Sequence, residues 1–324
     1  MNGLDVVGFG ALNVDQLYMV NKIAHEDEES HIIGFKKSCG GSASNTIVGL
    51  SRLGLKTGFI GKISKDHEGK LLLGTLQKEG VDTNGLIVTD EGKSGKVVGF
   101  VDKKGQRALY VDPGVNDLIK IHEINKDYLL DLKVLHLSSF VGSSIEAQKS
   151  LLNQIPKDLI VSLDPGRIYA ERGIDYLNII LKHTNIILLN QKELKHLTKK
   201  EESENLTEKK YKTLEEIKNK RLEEQTKVLL DRVDIVVVKL GDKGCYVSDG
   251  RESHYIKSFK TKCVDTTGAG DAFNAGFLYG FIKGRNLEES CKIGNLVATC
   301  CIGGFGALAG LPDISDLEVR LNSL

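Results

Sequence analysis

Hydrophobic segments of strand length recur along the chain, and stretches with a helical spacing of apolar residues separate them. An early apolar run covers 4–12, and after residue 125 strand-like segments stand at 133–138, 159–163, 185–189 and 234–238. Strands that alternate with helices favour a mainly parallel sheet covered by helices on both faces. The pattern therefore predicts an α/β fold.

Other strand-like segments do not alternate with helices. They are 14–20, 31–37, 95–101 and 107–112. Gly105, in the short polar stretch between the last two, is typical of a β-hairpin turn. These segments (about 14–20, 31–37 and 95–112) predict a small sheet that is separate from the main one.

Composition narrows the class of protein. The 324 residues are 40% hydrophobic and 27% charged, which indicates one large domain or a core with a small appendage. Basic and acidic residues balance at 44 each, so no field of one sign favours nucleic acid or an anionic membrane. The beginning of the sequence has no secretory pattern, and no apolar run is long enough to span a bilayer. We expect a cytoplasmic protein that binds neither nucleic acid nor membrane.

Cysteine and histidine carry no recognisable metal or disulfide pattern. The six cysteines include no C-x-x-C pair, and the eight histidines show no metal-ligand spacing. Neither a disulfide framework nor a zinc site is predicted.

A glycine-rich polar loop leads into a helix whose aromatic residues recur every fourth position from Phe273. Gly268, Ala269 and Gly270 allow close approach of a ligand, and the free N–H groups of a first helical turn attract phosphate. Asp271 is unexpected beside an anion. It is either an acid that complements the helix terminus or a general base beside a transferring phosphoryl group, and the loop alone gives the two interpretations even weight.

Polar side chains follow several predicted strands. Because ligands gather beyond the carboxyl ends of the strands in an open α/β sheet, we expect these groups to converge on one rim. They are Asn13 with Asp15, Asp164, Asn190 with Glu193, Lys239 with Gly241, and the 265–271 loop.

Some of these groups also have a simpler interpretation. Asn13 and Asp15 suit a polyhydroxyl ligand, or an ordinary Asx turn. Asn190 and Glu193, three residues apart, suit a water-bound Mg²⁺ ion, or a helix-capping pair, which the residues alone favour.

The segment with Gly40, Gly41 and Asn45 offers close backbone approach and an amide, or an ordinary helix start capped by Ser42 or Ser44. The charged segment 199–227 is interpreted as a solvated helical excursion without chemistry.

Two motifs carry a resemblance to a known family. They read Gly40-Gly41-x-x-x-Asn45 ahead of Ser51-Arg52-Leu53-Gly54, and Asp265-Thr266-Thr267-Gly268-Ala269-Gly270-Asp271. In this order, and over nearly the full chain, they resemble the signatures of the ribokinase-like (PfkB) carbohydrate kinases. The resemblance implies a single kinase domain over 1–324, folded as a three-layer α/β/α sandwich with the small sheet as a lid over the sugar site.

The resemblance also implies ATP-dependent, Mg²⁺-assisted transfer of the γ-phosphoryl group to a hydroxyl of a small carbohydrate, ribose-like or hexose-like. It makes Asp271 the base, and its anion hole consists of Gly268, Ala269 and Gly270. The implied substrate contacts are Asn13, Asp15, Gly40, Gly41 and Asn45. The implied nucleotide contacts are Asn190, Lys239, Gly241, Gly244 and Asn295, with Asn190 and Glu193 near the metal ion.

The sequence departs from ribokinases proper in ways that leave the substrate open. Ser42-Ala43-Ser44 replaces the usual Lys-Gly-Ala and is nearer to nucleoside kinases and other sugar kinases of the family. A nucleoside kinase is therefore the alternative. Gly310 stands where ribokinases often carry a serine near a monovalent-cation site, so a K⁺ requirement stays open.

Two other classes of function compete with a kinase. An NAD-dependent oxidoreductase would use Gly8-Phe9-Gly10, but Asn13 stands where the third glycine of that fingerprint belongs. A sensor that binds sugar or nucleotide without catalysis would keep the same fold. A homodimer through the lid is expected if the edge or face of that sheet is exposed.

Overall fold

The computed structural model of the protein describes residues 3–103, 105–198 and 214–322. The strands in this part of the chain are β1 (Val6–Phe9), β2 (Asn13–Val20), β3 (Ile32–Gly40), β4 (Thr57–Ser64), β5 (Leu86–Thr89), β6 (Gly95–Val101), β7 (Arg107–Asp112), β8 (Val134–Ser138), β9 (Ile160–Asp164), β10 (Ile186–Asn190), β11 (Ile235–Lys239), β12 (Cys245–Ser248) and β13 (Ser253–Ile256).

The described helices are α1 (Ser42–Arg52), α2 (His67–Lys78), α3 (Ile145–Leu152), α4 (Gly166–His183), α5 (Gln191–Thr198), α6 (Leu214–Leu230), α7 (Ala269–Ile282), α8 (Leu287–Cys301) and α9 (Ile314–Leu321). Short 3₁₀ turns include Gly114–Leu118 and Gly241–Lys243. None of the described helices is long and apolar enough to cross a membrane.

The large sheet has nine strands in the order β13-β12-β11-β10-β9-β8-β1-β4-β5. All neighbours are parallel except β11 with β12 and β12 with β13. Because side chains alternate across a strand, Val6 packs into one apolar cluster and Val7 into another. The first cluster joins the sheet to α1, α7 and α8, and the second joins it to α3, α4 and α5. The fold is therefore the expected three-layer α/β/α sandwich.

The small sheet has the order β3-β2-β6-β7, and we call it the lid sheet. β2 runs antiparallel to β3 and parallel to β6, and β6 and β7 form the hairpin expected around Gly105. Three residues separate β1 from β2, and β3 leads through Gly41 into α1. Both connections place the lid sheet beside the carboxyl end of β1.

Most element bounds agree with the sequence pattern to within a few residues. The first strand is shorter than the apolar run 4–12: the chain turns at Gly10, where a Cβ would lie 2.2 Å from Ser138 Oγ. β3 is longer than expected and reaches Gly40. In the charged segment, helix α6 is described, whereas 199–213 lie outside the described residues.

Candidate active site

The carboxylate of Asp271 is held by side chains of another helix. Asp271 lies in the first turn of α7, where its Oδ1 accepts a hydrogen bond from Ser42 Oγ and its Oδ2 accepts one from Asn45 Nδ2, each at 2.8 Å. Gly268 is the N-cap of α7 and supplies no side-chain cap. Both carboxylate oxygens are thus engaged by α1 and not by the N–H groups of their own helix. The neighbours fix the orientation that a general base needs.

Burial brings the proton affinity of Asp271 into the neutral range. It raises the pKa of Asp271 to about 7, and the negative charge of Asp164 adds to the rise. The hydrogen bonds from Asn45 and Ser42 and the charge of Lys239 act in the opposite direction. A base with a pKa near the working pH combines a useful deprotonated fraction with good proton affinity.

The turn before α7 has the geometry of an anion-binding site. Gly268 has φ 77°, and a Cβ there would lie 2.6 Å from Ala307 Cα, so glycine is required. The Ala269 N–H donates to the Thr266 carbonyl at 3.2 Å. Within the described chain, the N–H groups of Gly270 and Asp271 have no acceptor. The turn therefore presents these two N–H groups to a ligand, while the Ala269 N–H is already engaged.

Asp265 holds this turn in place. Its Oδ1 accepts from the Thr267 N–H at 2.9 Å and from Thr267 Oγ1 at 2.8 Å, and its Oδ2 accepts from the Gly306 N–H at 2.9 Å. The carboxylate thereby joins the anion-binding turn to the loop after α8. The turn does not follow a strand end directly, as the sequence suggested, because β13 ends at Ile256 and the irregular segment 257–268 intervenes.

Three adjacent parallel strands end in polar or charged residues at the same rim of the large sheet. Asp164, Asn190 and Lys239 are the last residues of β9, β10 and β11. Lys239 Nζ lies 3.0 Å from Asp164 Oδ2, and Glu193, in the first turn of α5, interacts electrostatically with both. The convergence predicted from the sequence is confirmed for these residues.

A cavity of about 160 Å³ lies between the lid sheet and the large sheet. Its lining combines hydroxyl, amide and carboxylate groups with short apolar side chains: Ala11, Asn13, Gly41, Ser42, Val111, Pro113, Asn116, Asp117, Ser138, Ser139, Val141 and Ile168. Asn116 Nδ2 donates to Asn13 Oδ1 at 3.0 Å and to the Leu12 carbonyl at 2.7 Å, which fixes the Asn13 amide at the wall. The cavity can receive a small polyhydroxyl compound.

Two oxygen-bearing groups near this cavity suit a ligand with hydroxyl groups. Asn45 Oδ1 is buried and has no hydrogen-bond partner among the described residues. The Asp15 carboxylate lies against Gly40, where a Cβ would come within 2.2 Å of Asp15 Oδ2, and burial raises the pKa of Asp15 to about 6 although the charge of Arg107 lowers it. Because a buried acceptor without a donor is costly, Asn45 Oδ1 indicates a ligand that brings a hydroxyl group.

Gly41 begins α1 without a side-chain cap. Its φ is 113°, and a Cβ there would lie 2.2 Å from the Ala11 carbonyl oxygen, so only glycine fits. Ser42 and Ser44 lie inside the helix, so the expectation that one of them caps it is wrong. The hydroxyl of Ser42 is directed to Asp271 instead.

Asn190 and Glu193 form a reciprocal capping pair at the start of α5. Asn190 Oδ1 accepts from the N–H of Glu193 at 3.0 Å and of Lys192 at 2.9 Å, and Glu193 Oε2 accepts from the Asn190 N–H at 2.8 Å. No group of three or more His, Cys, Asp or Glu residues that could hold a metal ion occurs in the described ranges. The donor set therefore suits Mg²⁺ only through water molecules.

The other residues assigned to the nucleotide are held by local structure. Gly241 has φ 66°, and Gly244 has φ 96° with the position of a Cβ only 1.9 Å from the Ile256 carbonyl oxygen. Asn295 on α8 donates through Nδ2 to the carbonyl groups of Ile256 at 3.3 Å and Lys257 at 3.2 Å. Gly241 and Gly244 shape the turn between β11 and β12, and Asn295 joins α8 to the end of β13.

Sequence reasoning missed several residues of the site. Ser138 ends β8 and Ser139 follows it, so the strand-end rule would have found them. Asn116 and Asp117 lie in a 3₁₀ turn, and Asn274 lies inside α7; for these no local signal exists, because only tertiary packing brings them to the site.

Comparison with known proteins agrees with this geometry. A family model described as pfkB family carbohydrate kinase matches residues 4–314. The chain is 43% identical over 273 residues to an uncharacterized sugar kinase of Archaeoglobus fulgidus, which covers 83% of this chain and 100% of that protein. It is 27% identical over 331 residues to a 5-dehydro-2-deoxygluconokinase of Bacillus licheniformis, which covers 97% and 94% of the two chains.

A solved structure shares the fold. The ribokinase of Thermotoga maritima superposes with a TM-score of 0.81 at 26% identity, and the match covers 98% of this chain and 99% of the ribokinase. The family match spans nearly the whole described chain and includes both motifs and the rim on which they meet. The chain therefore belongs to the PfkB family of carbohydrate kinases, which are phosphotransferases that act on hydroxyl groups.

Proposed function

We propose that the protein transfers the γ-phosphoryl group of ATP to a hydroxyl of a small ribose-like or hexose-like carbohydrate, with Asp271 as the general base. The observation that carries the proposal is the carboxylate of Asp271 held by Ser42 and Asn45 between two features: free N–H groups at the start of α7 and a polar cavity under the lid sheet. One feature suits a phosphoryl group and the other suits its acceptor.

The residues divide the chemistry between them. Asp271 accepts the proton of the attacking hydroxyl, and the backbone N–H groups of Gly270 and Asp271 donate to the oxygens of the phosphoryl group during transfer. Mg²⁺ held through water by Asn190 and Glu193 would neutralise phosphate charge. Phosphoryl transfer of this kind needs no covalent intermediate with the protein, because positioning and charge stabilisation supply the catalysis.

The acceptor is bound by oxygen-bearing side chains near the cavity. Asp15 and Asn45 Oδ1 accept hydrogen bonds from substrate hydroxyls, and Asn13 orients the ligand at the wall. Among the described residues, those that line the cavity include no aromatic side chain that could stack on a base. This favours a sugar over the alternative, a nucleoside acceptor.

The lid sheet contributes Asp15 and excludes water. Lys36 on β3 donates to the Phe305 carbonyl and lies 4.2 Å above the centroid of its ring, while Lys37 forms a 3.2 Å ion pair with Glu68 on α2. The two lysines connect the lid sheet to the loop after α8 and to the core. A closed lid protects the phosphoryl group from water.

The opposite face of the lid sheet supports a homodimer. It carries a row of four aromatic rings across its four strands: Phe35, Tyr18, Phe100 and Tyr110. Phe35 is 52% and Tyr110 is 65% exposed. Exposed apolar patches of this kind mark interaction sites, and a second copy of the chain would cover it.

Dependence on K⁺ is not part of the proposal. A Cβ at Gly310 would lie 2.3 Å from the Cys301 carbonyl oxygen, so a serine does not fit at this position. The ammonium group of Lys36 already supplies positive charge to the Phe305 carbonyl and to Asp265.

A coupled assay of ADP release tests the proposal. Purified protein is given ATP and Mg²⁺ with ribose, fructose, other hexoses and a set of nucleosides. We expect ADP release that depends on a sugar. Release that depends only on nucleosides would select the alternative acceptor, and tight ATP binding without acceptor-dependent release would indicate a non-catalytic sensor.

A further inference from the structure

Asp117 places a carboxylate at the wall of the cavity under the lid sheet. It lies in the 3₁₀ turn Gly114–Leu118, directly after Asn116, whose amide holds Asn13 at the same wall. Its Oδ1 accepts a hydrogen bond from the Gly142 N–H at 2.8 Å. Within the described chain, its Oδ2 accepts no hydrogen bond. One oxygen of the carboxylate is therefore left for a ligand.

The loop after β8 holds Asp117 in this position. A Cβ at Gly142 would lie 2.9 Å from Asp117 Oδ2 and 3.0 Å from its Cγ, so glycine leaves the room that the carboxylate needs. The Ser143 hydroxyl donates to the Asp117 carbonyl at 2.5 Å, and the loop thus contacts both the main chain and the side chain. The position of the carboxylate is fixed before a ligand binds.

Negative charge dominates the surroundings of the cavity. Asp15 lies near it, against Gly40, and Asp271 is bonded to Ser42, which lines it. Together with Asp117, these residues bring three carboxylates to the acceptor site, whereas the described lining residues include no lysine, arginine or histidine. An anionic ligand would meet these carboxylates without a partner of opposite charge, which is unfavourable in a partly buried site.

Two arginines act on these carboxylates without lining the cavity. Burial raises the pKa of Asp117, and the charge of Arg172 opposes the rise. Burial likewise raises the pKa of Asp15, and the charge of Arg107 opposes it. The guanidinium of Arg172 donates to the Val141 carbonyl at 2.5 Å. Because neither arginine is among the lining residues, neither is placed to pair with an anionic ligand.

We propose that Asp117 determines the charge of the acceptor: it accepts a hydrogen bond from a hydroxyl group of a neutral sugar and repels sugar acids and sugar phosphates. The inference rests on the proposed phosphoryl transfer and names the class of its acceptor. A neutral sugar offers hydroxyl donors to Asp117 Oδ2 and to Asn45 Oδ1. An ionised carboxyl or phosphate group facing Asp117 would add a like charge, and such juxtapositions discriminate strongly between ligands.

The competing interpretation is a purely structural role, in which Asp117 only holds the Gly142 loop. Asp117→Asn separates the two interpretations, because the amide oxygen can still accept from the Gly142 N–H while the negative charge is lost. A structural role predicts an unchanged preference between neutral and anionic sugars. A role in specificity predicts that this preference weakens while the unfolding temperature stays close to that of the wild type.

The test compares neutral sugars with anionic relatives of the same carbon skeleton. ADP release by the wild type and by Asp117→Asn is measured with ribose and ribonate, glucose and gluconate, and fructose and fructose 1-phosphate. We expect kcat/KM of the wild type to favour the neutral sugar, and Asp117→Asn to reduce that ratio by about tenfold or more, as removal of a close like charge implies. Equal use of the anionic sugar by the wild type, or an unchanged ratio in the variant, would overturn the proposal.

Asp127→Asn is the matched control. Asp127 also lies in a 3₁₀ turn, Lys126–Leu129, but it is not among the residues that line the cavity. Its variant changes the net charge of the protein by the same amount, so its ratio of neutral to anionic sugar should equal that of the wild type. A fall as large as that of Asp117→Asn would show that net charge alone sets the preference.

Calorimetry without ATP gives a readout that is independent of turnover. The wild type should bind the neutral sugar of a pair more tightly than the anionic one, and Asp117→Asn should narrow the difference. Equal or tighter binding of the anionic sugar by the wild type would contradict the proposal even if no sugar is phosphorylated. Absence of any acceptor-dependent ADP release would instead refute the proposed transfer, so the two failures are distinguishable.

Discussion

Asn45 Nδ2 lies 2.8 Å from Asp271 Oδ2, and Asn45 Oδ1, on the same amide, is buried without a partner. One side chain thus orients the proposed base, and in the proposed reaction its other atom would accept a hydrogen bond from a substrate hydroxyl. A hydroxyl bound at Asn45 Oδ1 would lie one amide width from the Asp271 carboxylate. This relationship couples binding of the acceptor to its deprotonation.

Ser42→Ala should change the pH dependence of turnover. The Ser42 hydroxyl bonds to Asp271 Oδ1 and lowers the pKa of Asp271, which burial and Asp164 raise to about 7. Loss of this bond raises the pKa further. Since the base works deprotonated, the acidic limb of the kcat profile should move from near pH 7 to higher pH.

Ser51→Ala is the matched control for that experiment. Ser51 lies on the same helix, but its hydroxyl donates to the Glu79 carbonyl at 2.6 Å, away from Asp271. The acidic limb of the kcat profile of Ser51→Ala should stay at the pH of the wild type. An unchanged limb in Ser42→Ala would show that the Ser42 hydroxyl does not tune the base.

Asp15→Asn should weaken acceptor binding and stabilise the protein. Burial raises the folded-state pKa of Asp15 from 3.8 to about 6, so the unfolded state loses its proton first as pH rises. The buried Asp15 carboxyl therefore lowers the free energy of unfolding progressively as the pH rises from about 4 to about 6. Relative to wild type, Asp15→Asn should gain unfolding temperature across that window and keep the gain above it, while KM for the sugar rises.

Thermal unfolding at a series of pH values and steady-state kinetics check this prediction. Asp112→Asn, at the exposed end of β7, controls for removal of a lid carboxylate. A stability gain that is the same at pH 3.5 and pH 7.5, or an unchanged KM, would contradict the assignment of Asp15.

Gly268→Ala should damage phosphoryl transfer more than acceptor binding. The φ of 77° disfavours alanine, and its Cβ would meet Ala307 Cα at 2.6 Å. The turn must shift, which moves the free N–H groups of Gly270 and Asp271 away from the phosphoryl group. We expect kcat to fall by at least ~10²-fold, the scale of a lost oxyanion donor, with affinity for the sugar retained in calorimetry. A fall in affinity with unchanged kcat would contradict this role of the turn.

Lys36→Met should loosen the lid. Lys36 connects β3 to Phe305 through a hydrogen bond and a cation–π contact. Without them, water reaches the phosphoryl group more often, so ADP release without sugar should rise relative to sugar-dependent release. Lys37→Met, which removes only the ion pair to Glu68, is the control. An unchanged ratio in Lys36→Met would show that this contact does not control closure.

The sequence contains the information that places Asp164, Asn190 and Lys239 on one rim, because strand periodicity and the parallel-sheet rule locate strand ends without coordinates. Asp271 reaches the same rim without following a strand end, so this rule does not place it. The sequence does not contain, in any local form, the pairing of Lys239 with Asp164, which are 75 residues apart. The same holds for Asn116, whose amide reaches Leu12 across 104 residues. Such contacts depend on how the layers pack, which no single segment specifies.

The direction of a side chain is the other property that the pattern left open. Ser42 was compatible with a helix cap, and Asp271 with a complement to the helix dipole. The structure directs both toward each other because Gly41 takes φ 113° and sets the start of α1. A backbone conformation available to glycine thus decides which oxygen faces the base.

Turnover of Asp271→Asn with the sugar that the wild type prefers tests the central claim most directly. The amide keeps the shape of the side chain but cannot take the proton of the hydroxyl. The account predicts a loss of ~10²–10⁴-fold or more in kcat, with ATP binding and unfolding temperature close to or above those of the wild type. Turnover within a few-fold of the wild type in the purified variant would contradict it.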